Sequence, residues 1–251
     1  ETDMARSGIA TLRFDEPGSA VSSVDSGMVS LDRLADYANA AMARLGSVEG
    51  VDPDRIGIVG FGEGGLVSLR LGSAERTAVP ACAIGLATPM VAGRVWYETQ
   101  VRRLLEESAP LLPAASVEKI VSLHRSVYSA NEWPGTWSER REEGRRRYAA
   151  GLEAFGVVER TVLTLDPDPT RLVETTINPW FKDLLAYDPE PALRRVGFPM
   201  LAVFGGLDRQ VDSTQSIAAL GAIANPLIEV KTFEELNHLL QTAETGLPDE
   251  Y

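Results

Sequence analysis

One cysteine, Cys82, serves the whole of this 251-residue sequence. An intrachain disulfide and a cysteine-based zinc site are both excluded by that count. Its setting, Pro80-Ala81-Cys82-Ala83-Ile84-Gly85-Leu86, is apolar, so it is expected to be a small buried hydrophobe rather than a reactive thiol. Histidine is nearly as scarce: His124 and His238 are the two present, far apart and without ligand spacing, so no metal is expected. Positive charge is also short, with 24 Lys and Arg against 36 Asp and Glu and a net charge of −12. Nucleic acid and anionic membrane surfaces reward the opposite sign, and neither is an expected partner. No apolar run approaches the roughly 20 residues that span a bilayer, and no signal peptide is in view. A cytoplasmic location is the expectation.

What is present is the rhythm of an α/β domain. Ile9–Phe14 reads as a strand, followed by the turn Asp15-Glu16-Pro17-Gly18. Leu31, Leu34, Ala38, Ala41, Met42 and Leu45 form the 3.6-residue stripe of an amphipathic helix. After the break at Val51–Arg55 come a strand over Ile56–Val59, a helix from Gly64 to about Ala74, and a strand over Ala81–Leu86. The pattern resumes with a strand at Pro199–Phe204, a helix over Ser213–Ile223 and a strand over Ile228–Thr232. Continuous apolar strands alternating with helices predict a mostly parallel sheet covered on both faces. Between them, Val95–Glu107, Val117–Ala130 and Trp137–Phe155 read as helices without intervening strands. The expected organisation is a core in two parts, 1–92 and 186–251, with a helical cap inserted over 93–185. On the cap, Glu142 and Arg146, and Glu143 and Arg147, stand at i,i+4 spacing, the pattern of a solvated helix face.

The most informative stretch is Ile56-Gly57-Ile58-Val59-Gly60-Phe61-Gly62-Glu63-Gly64-Gly65. An apolar strand ends in Gly-x-?-x-Gly and runs straight into a helix, the context of a nucleophile elbow. The tip residue is Gly62, which has no side-chain atom with which to form a covalent intermediate. Downstream, Asp208 follows the strand ending at Phe204, and His238 follows the last strand. The order elbow, acid, histidine is that of a triad in which the acid orients the imidazole. His124, on a cap helix, reads as a surface or packing residue.

These residues resemble the α/β-hydrolase superfamily, and within it the serine esterases related to prolyl-oligopeptidase-type peptidases. The similar motifs are Ala10–Asp15, Val51–Gly60, Asn178-Pro179-Trp180-Phe181 with Tyr187-Asp188-Pro189, and Leu236–Gln241 with Thr245-Gly246 and Glu250-Tyr251. The resemblance implies cofactor-free chemistry on carboxylic esters or amides beneath a helical cap. It implies Asp208 and His238 as catalytic residues, and the backbone N–H of Glu63 as an oxyanion donor. Phe61, Trp180 and Phe181 are candidate pocket residues, with Trp96, Trp133 and Trp137 as further aromatics of an apolar chamber. Two departures stand out: relatives carry serine where Gly62 stands, commonly after a histidine where Phe61 stands. The early strands of the fold are also missing, so a second chain or an omitted N-terminal segment is expected to complete the sheet. Three readings follow. The first is a non-hydrolytic homologue that uses a His–Asp pair for proton transfer on an apolar carbonyl-containing small molecule. The second is an esterase or amidase silenced at position 62, and the third a non-catalytic binding protein.

Overall fold

A computed structural model describes residues 2–14, 29–73, 79–157, 160, 168–247 and 250–251. The chain packs as two units, Glu1–Ala92 with Asp188–Tyr251, and Gly93–Tyr187.

The first unit is built on four strands: β1 (Ile58–Phe61), β2 (Ala83–Leu86), β3 (Met200–Gly205) and β4 (Ile228–Phe233). They lie in the order β1-β2-β3-β4, and every pairing is parallel. Register places Gly60 beside Gly85 and Gly85 beside Ala202, so one face carries small residues at its centre. Helix α3 (Glu63–Ser73) packs against β1 and β2. Helix α2 (Leu31–Gly46) packs on α3 and buries Leu31, Ala35, Ala38 and Met42 at alternating spacings of four and three residues. The Ser30 hydroxyl caps it by accepting from the Arg33 N–H at 3.2 Å.

Three expectations change. The segment 9–14 is not a strand: α1 (Thr2–Arg6) precedes it, and its residues are exposed and irregular. A strand exists only through a ladder partner, and among the described residues no strand pairs with it. Cys82 is exposed. It stands one residue before β2, with its thiol 2.7 Å from where a Cβ on Gly57 would lie, so it rests across a glycine at the strand's entry rather than inside the core. The sheet is also less covered than its parallel strands imply, because Val59 and Phe61 on β1 are 58% and 45% exposed. The turn expected at 15–18 lies outside the described residues.

The second unit is helical: α4 (Gly93–Ser108), α5 (Ala114–Tyr128), α6 (Trp137–Leu152), α7 (Thr170–Thr176) and α8 (Pro179–Ala186). A reciprocal capping box between Thr136 and Glu139 starts α6. Ile120, Leu123, Val127, Tyr148 and Ile177 form one core, and Tyr97, Tyr128, Phe181 and Leu185 another. On the charged face of α6 the expected i,i+4 pair of Glu143 and Arg147 forms, at 2.7 Å, whereas that of Glu142 and Arg146 does not. Glu142 meets Arg145, and Glu143, which is buried, bridges Arg146 and Arg147. The first unit also holds α9 (Glu190–Arg195) and α10 (Ser213–Ile223). Among the described residues no helix is long and apolar enough to cross a membrane.

Candidate active site

At the end of β1 the chain reverses within one residue. The Gly62 N–H donates to the Leu86 carbonyl at 2.8 Å, its own carbonyl accepts from the Gly65 N–H at 3.2 Å, and α3 begins at Glu63. Steric demands on the glycines here are unequal. A Cβ on Gly60 would stand 2.1 Å from the Gly64 carbonyl carbon, and one on Gly65 would stand 2.0 Å from the Thr88 hydroxyl oxygen. Those two positions exclude any side chain. At Gly62 a Cβ would meet nothing within 4 Å among the described residues, whereas the φ of +52° favours glycine. The elbow keeps the geometry that projects a side chain outward, and the tip carries none.

Asp208 and His238 come together. Asp208 lies three residues beyond β3 and is 1% exposed. Its Oδ1 accepts from the N–H groups of Gln210 and Val211, both at 2.8 Å. Its Oδ2 stands 2.9 Å from His238 Nδ1. Since both carboxylate oxygens act as acceptors, the Nδ1 proton points to Asp208 and Nε2 is left as the basic nitrogen. The elbow strand and the acid's strand are separated by β2, so their ends stand about 10 Å apart at the usual strand spacing. His238 spans that gap, held by Asp208 at Nδ1 and with its ring centroid 5.0 Å from that of Phe61.

The histidine loop is laced to the acid loop. The Leu207 N–H donates to the Leu236 carbonyl at 3.0 Å, and the Gly206 N–H donates to the Phe233 carbonyl at 2.8 Å. A Cβ on Gly205 would stand 2.2 Å from the Leu236 carbonyl oxygen, so glycine permits this close crossing. Asn237 closes the loop: its N–H donates to the Gln241 carbonyl at 2.9 Å, and its side-chain oxygen accepts from the Gln241 N–H at 3.1 Å. Sequence reasoning gave Asn237 no role. Its signal was its place immediately before the histidine, with a glutamine four residues on. Arg209, whose Nε donates to the Thr245 carbonyl at 2.7 Å, ties the acid loop to the C-terminal segment.

The remaining candidates are distributed differently. Glu63 is the first residue of α3, where N–H groups project along the helix axis toward the elbow. Phe61 flanks His238, with the two rings tilted against each other. Trp180 and Phe181 lie on α8 of the helical unit, where Phe181 is buried edge-on to Tyr97 at 5.0 Å. Trp96 and Trp180 pack on that cluster, Trp137 packs on the other, and Trp133 carries the guanidinium groups of Arg146 and Arg147 over its ring. The aromatics expected to make one chamber therefore divide between two cores and a surface stack. His124 packs under Tyr97, whose hydroxyl lies 2.8 Å from its Nδ1, and burial lowers its pKa to about 4. Among the described residues no cluster of metal ligands occurs.

No protein-family model matches the chain. A stretch of 117 residues is 30% identical to the esterase EstD of Thermotoga maritima, covering 43% of this chain and 28% of EstD. The chain thus matches well under a third of that relative's length. The crystal structure of VinJ superposes with a TM-score of 0.51 at 16% identity, covering 94% of this chain and 77% of VinJ. A thermophilic esterase from Thermogutta terrifontis gives a TM-score of 0.46 at 15% identity, over 87% and 69% of the two chains. The chain has the α/β-hydrolase fold. Gly62, Asp208 and His238 each follow the carboxyl end of a parallel strand, β1, β3 and β4 respectively.

Proposed function

We propose that this α/β-hydrolase-fold chain uses Asp208 and His238 as an acid–base pair for proton transfer on an apolar, carbonyl-containing small molecule, without an acyl-enzyme. The observation that carries the reading is the 2.9 Å contact between Asp208 Oδ2 and His238 Nδ1 beside an elbow whose tip is glycine. Asp208 holds the imidazole in one tautomer and stabilises the cation that forms when Nε2 takes a proton. Nε2 then removes a proton from a carbon next to a carbonyl and returns it elsewhere, the step shared by lyase, cyclase and isomerase reactions. A general base of this kind typically supplies about 10²–10⁴-fold. The local similarity to an esterase supports a carbonyl-bearing ligand.

The test is deuterium uptake next to the carbonyl of an apolar ketone such as acetophenone in D₂O. The reading expects uptake above the level of the His238→Ala protein, and equal uptake by the two proteins contradicts it. The second reading, an ester or amide hydrolase silenced at position 62, is favoured by one observation: a Cβ at Gly62 meets nothing within 4 Å, so serine fits there. Turnover of short-chain aryl esters by Gly62→Ser would support it.

A further inference from the structure

Thr245, Gly246 and Tyr251 each touch the loop that carries Asp208. A Cβ on Gly246 would stand 1.8 Å from the Leu207 carbonyl oxygen, and its φ of +76° also favours glycine, so the two backbones cross in contact. The Thr245 carbonyl accepts from Arg209 Nε at 2.7 Å. The Tyr251 hydroxyl accepts from Gln210 Nε2 at 3.3 Å and donates to the Gly246 carbonyl, also at 3.3 Å. Leu207, Arg209 and Gln210 are thus all held from this segment, while Asp208 between them turns its carboxylate to His238.

Glu250 sets the shape of the segment. Its Oε1 accepts from the Thr245 N–H at 2.9 Å and the Thr245 hydroxyl at 2.8 Å, and its Oε2 accepts from the Gly246 N–H at 2.8 Å. These donors hold the carboxyl below the usual carboxylate range, so it stays charged and the turn stays closed. Closure delivers the next residue, Tyr251, to Gln210. Burial, together with the charges of Asp208 and Glu250, raises the Tyr251 pKa, so the hydroxyl keeps the proton it gives to Gly246. The backbone N–H of Gln210 is in turn one of the two donors that fix Asp208 Oδ1, which leaves Oδ2 for His238 Nδ1. We infer that Tyr251 is a positioning residue for the Asp208–His238 pair: placed by the turn that Glu250 closes, its hydroxyl holds Gln210 where the Gln210 N–H aims the Asp208 carboxylate at the imidazole. The inference rests on the reading of Asp208–His238 as a proton-transfer pair.

The experiment compares ¹⁵N-labelled protein with its Tyr251→Phe and Gln210→Ala variants by NMR, at alkaline pH where imidazoles are neutral. His238 and His124 are the two histidines, so the ring signals are few and His124, in the helical unit, is an internal control. In the unaltered protein the two His238 ring nitrogens are expected to be distinct, one protonated and one not, because Asp208 fixes the tautomer. In Tyr251→Phe they are expected to move toward each other, as tautomers begin to exchange, while the His124 signals stay in place. Hydrogen exchange at the Gln210 and Val211 N–H groups is expected to rise by up to about tenfold, the factor that corresponds to one hydrogen bond of ordinary net strength. Gln210→Ala breaks the same link from the other side, so the double variant is expected to do no more than either single one. Unchanged His238 signals with unchanged exchange overturn the inference, as do additive effects or an equal movement of the His124 signals. Deuterium uptake into acetophenone, measured in parallel, separates the two claims. If Tyr251→Phe loosens the His238 ring and neither protein shows uptake, the positioning role stands and the proton-transfer reading falls. If uptake depends on His238 but Tyr251→Phe changes neither the ring signals nor the uptake, the reading stands and the positioning role falls.

Discussion

At Gly62 two demands pull apart. The backbone there has φ +52°, which glycine adopts without penalty, whereas the surroundings would accept a side chain. Any L-residue at this position carries a left-handed cost of about 1–2 kcal/mol, paid in serine hydrolases by the need for an exposed nucleophile. Gly60 is the opposite case, since its Cβ position lies 2.1 Å from backbone that cannot move without dismantling the turn. Gly62→Ala is therefore expected to fold with a loss of about 1–2 kcal/mol. Gly60→Ala is expected to lose about 3 kcal/mol or more through overpacking. Chemical denaturation of the two variants checks the order, and equal losses would contradict this account of the elbow.

At the level of elements, the strands and helices most legible in the sequence were those whose partners lie within the chain. The helix over 213–223 and the strands ending at Phe204 and Thr232 stand within a residue of their expected bounds, because their apolar positions meet a sheet that the described residues supply. Ile9–Phe14 has the same strand-like composition and forms no strand, since a ladder is a property of two segments rather than one. The acid and histidine were legible from their order after strands. The support from Asn237 and the crossing at Gly205 were not, because they depend on contacts between loops.

The α4–α5 pair carries its own pH dependence. His124 has a folded pKa of about 4 against an ordinary 6.5, lowered by burial beneath Tyr97. Between those values the unfolded chain binds a proton that the folded chain does not. The stability this supplies is present above about pH 6.5 and is lost as pH falls through about 4, up to about 3 kcal/mol in all. Denaturation midpoints between pH 7 and 4 are expected to fall less steeply for His124→Gln, which keeps an acceptor for the Tyr97 hydroxyl. An unchanged slope would count against burial as the cause.

Across the whole molecule, the β1 edge is the conspicuous surface. Among the described residues β1 is a parallel edge strand, and with Val59 and Phe61 more than two-fifths exposed it presents backbone and apolar side chains together. Val59→Lys is expected to raise the concentration at which the protein self-associates, as measured by light scattering, while leaving the fold intact. No change in association would show that this edge is not the sticky surface. The net charge of −12 acts in the same direction by keeping copies apart, so raising salt is expected to increase association of the unaltered protein.

Asp208 and His238 are proposed to hold a competent general base beside an elbow that carries no nucleophile. The most direct test introduces serine by Gly62→Ser, treats the protein with an aryl phosphonate, and reads covalent labelling by intact mass. The account predicts stoichiometric labelling that disappears when His238→Ala is added. Labelling that persists without His238, or none in a folded Gly62→Ser protein, would contradict it.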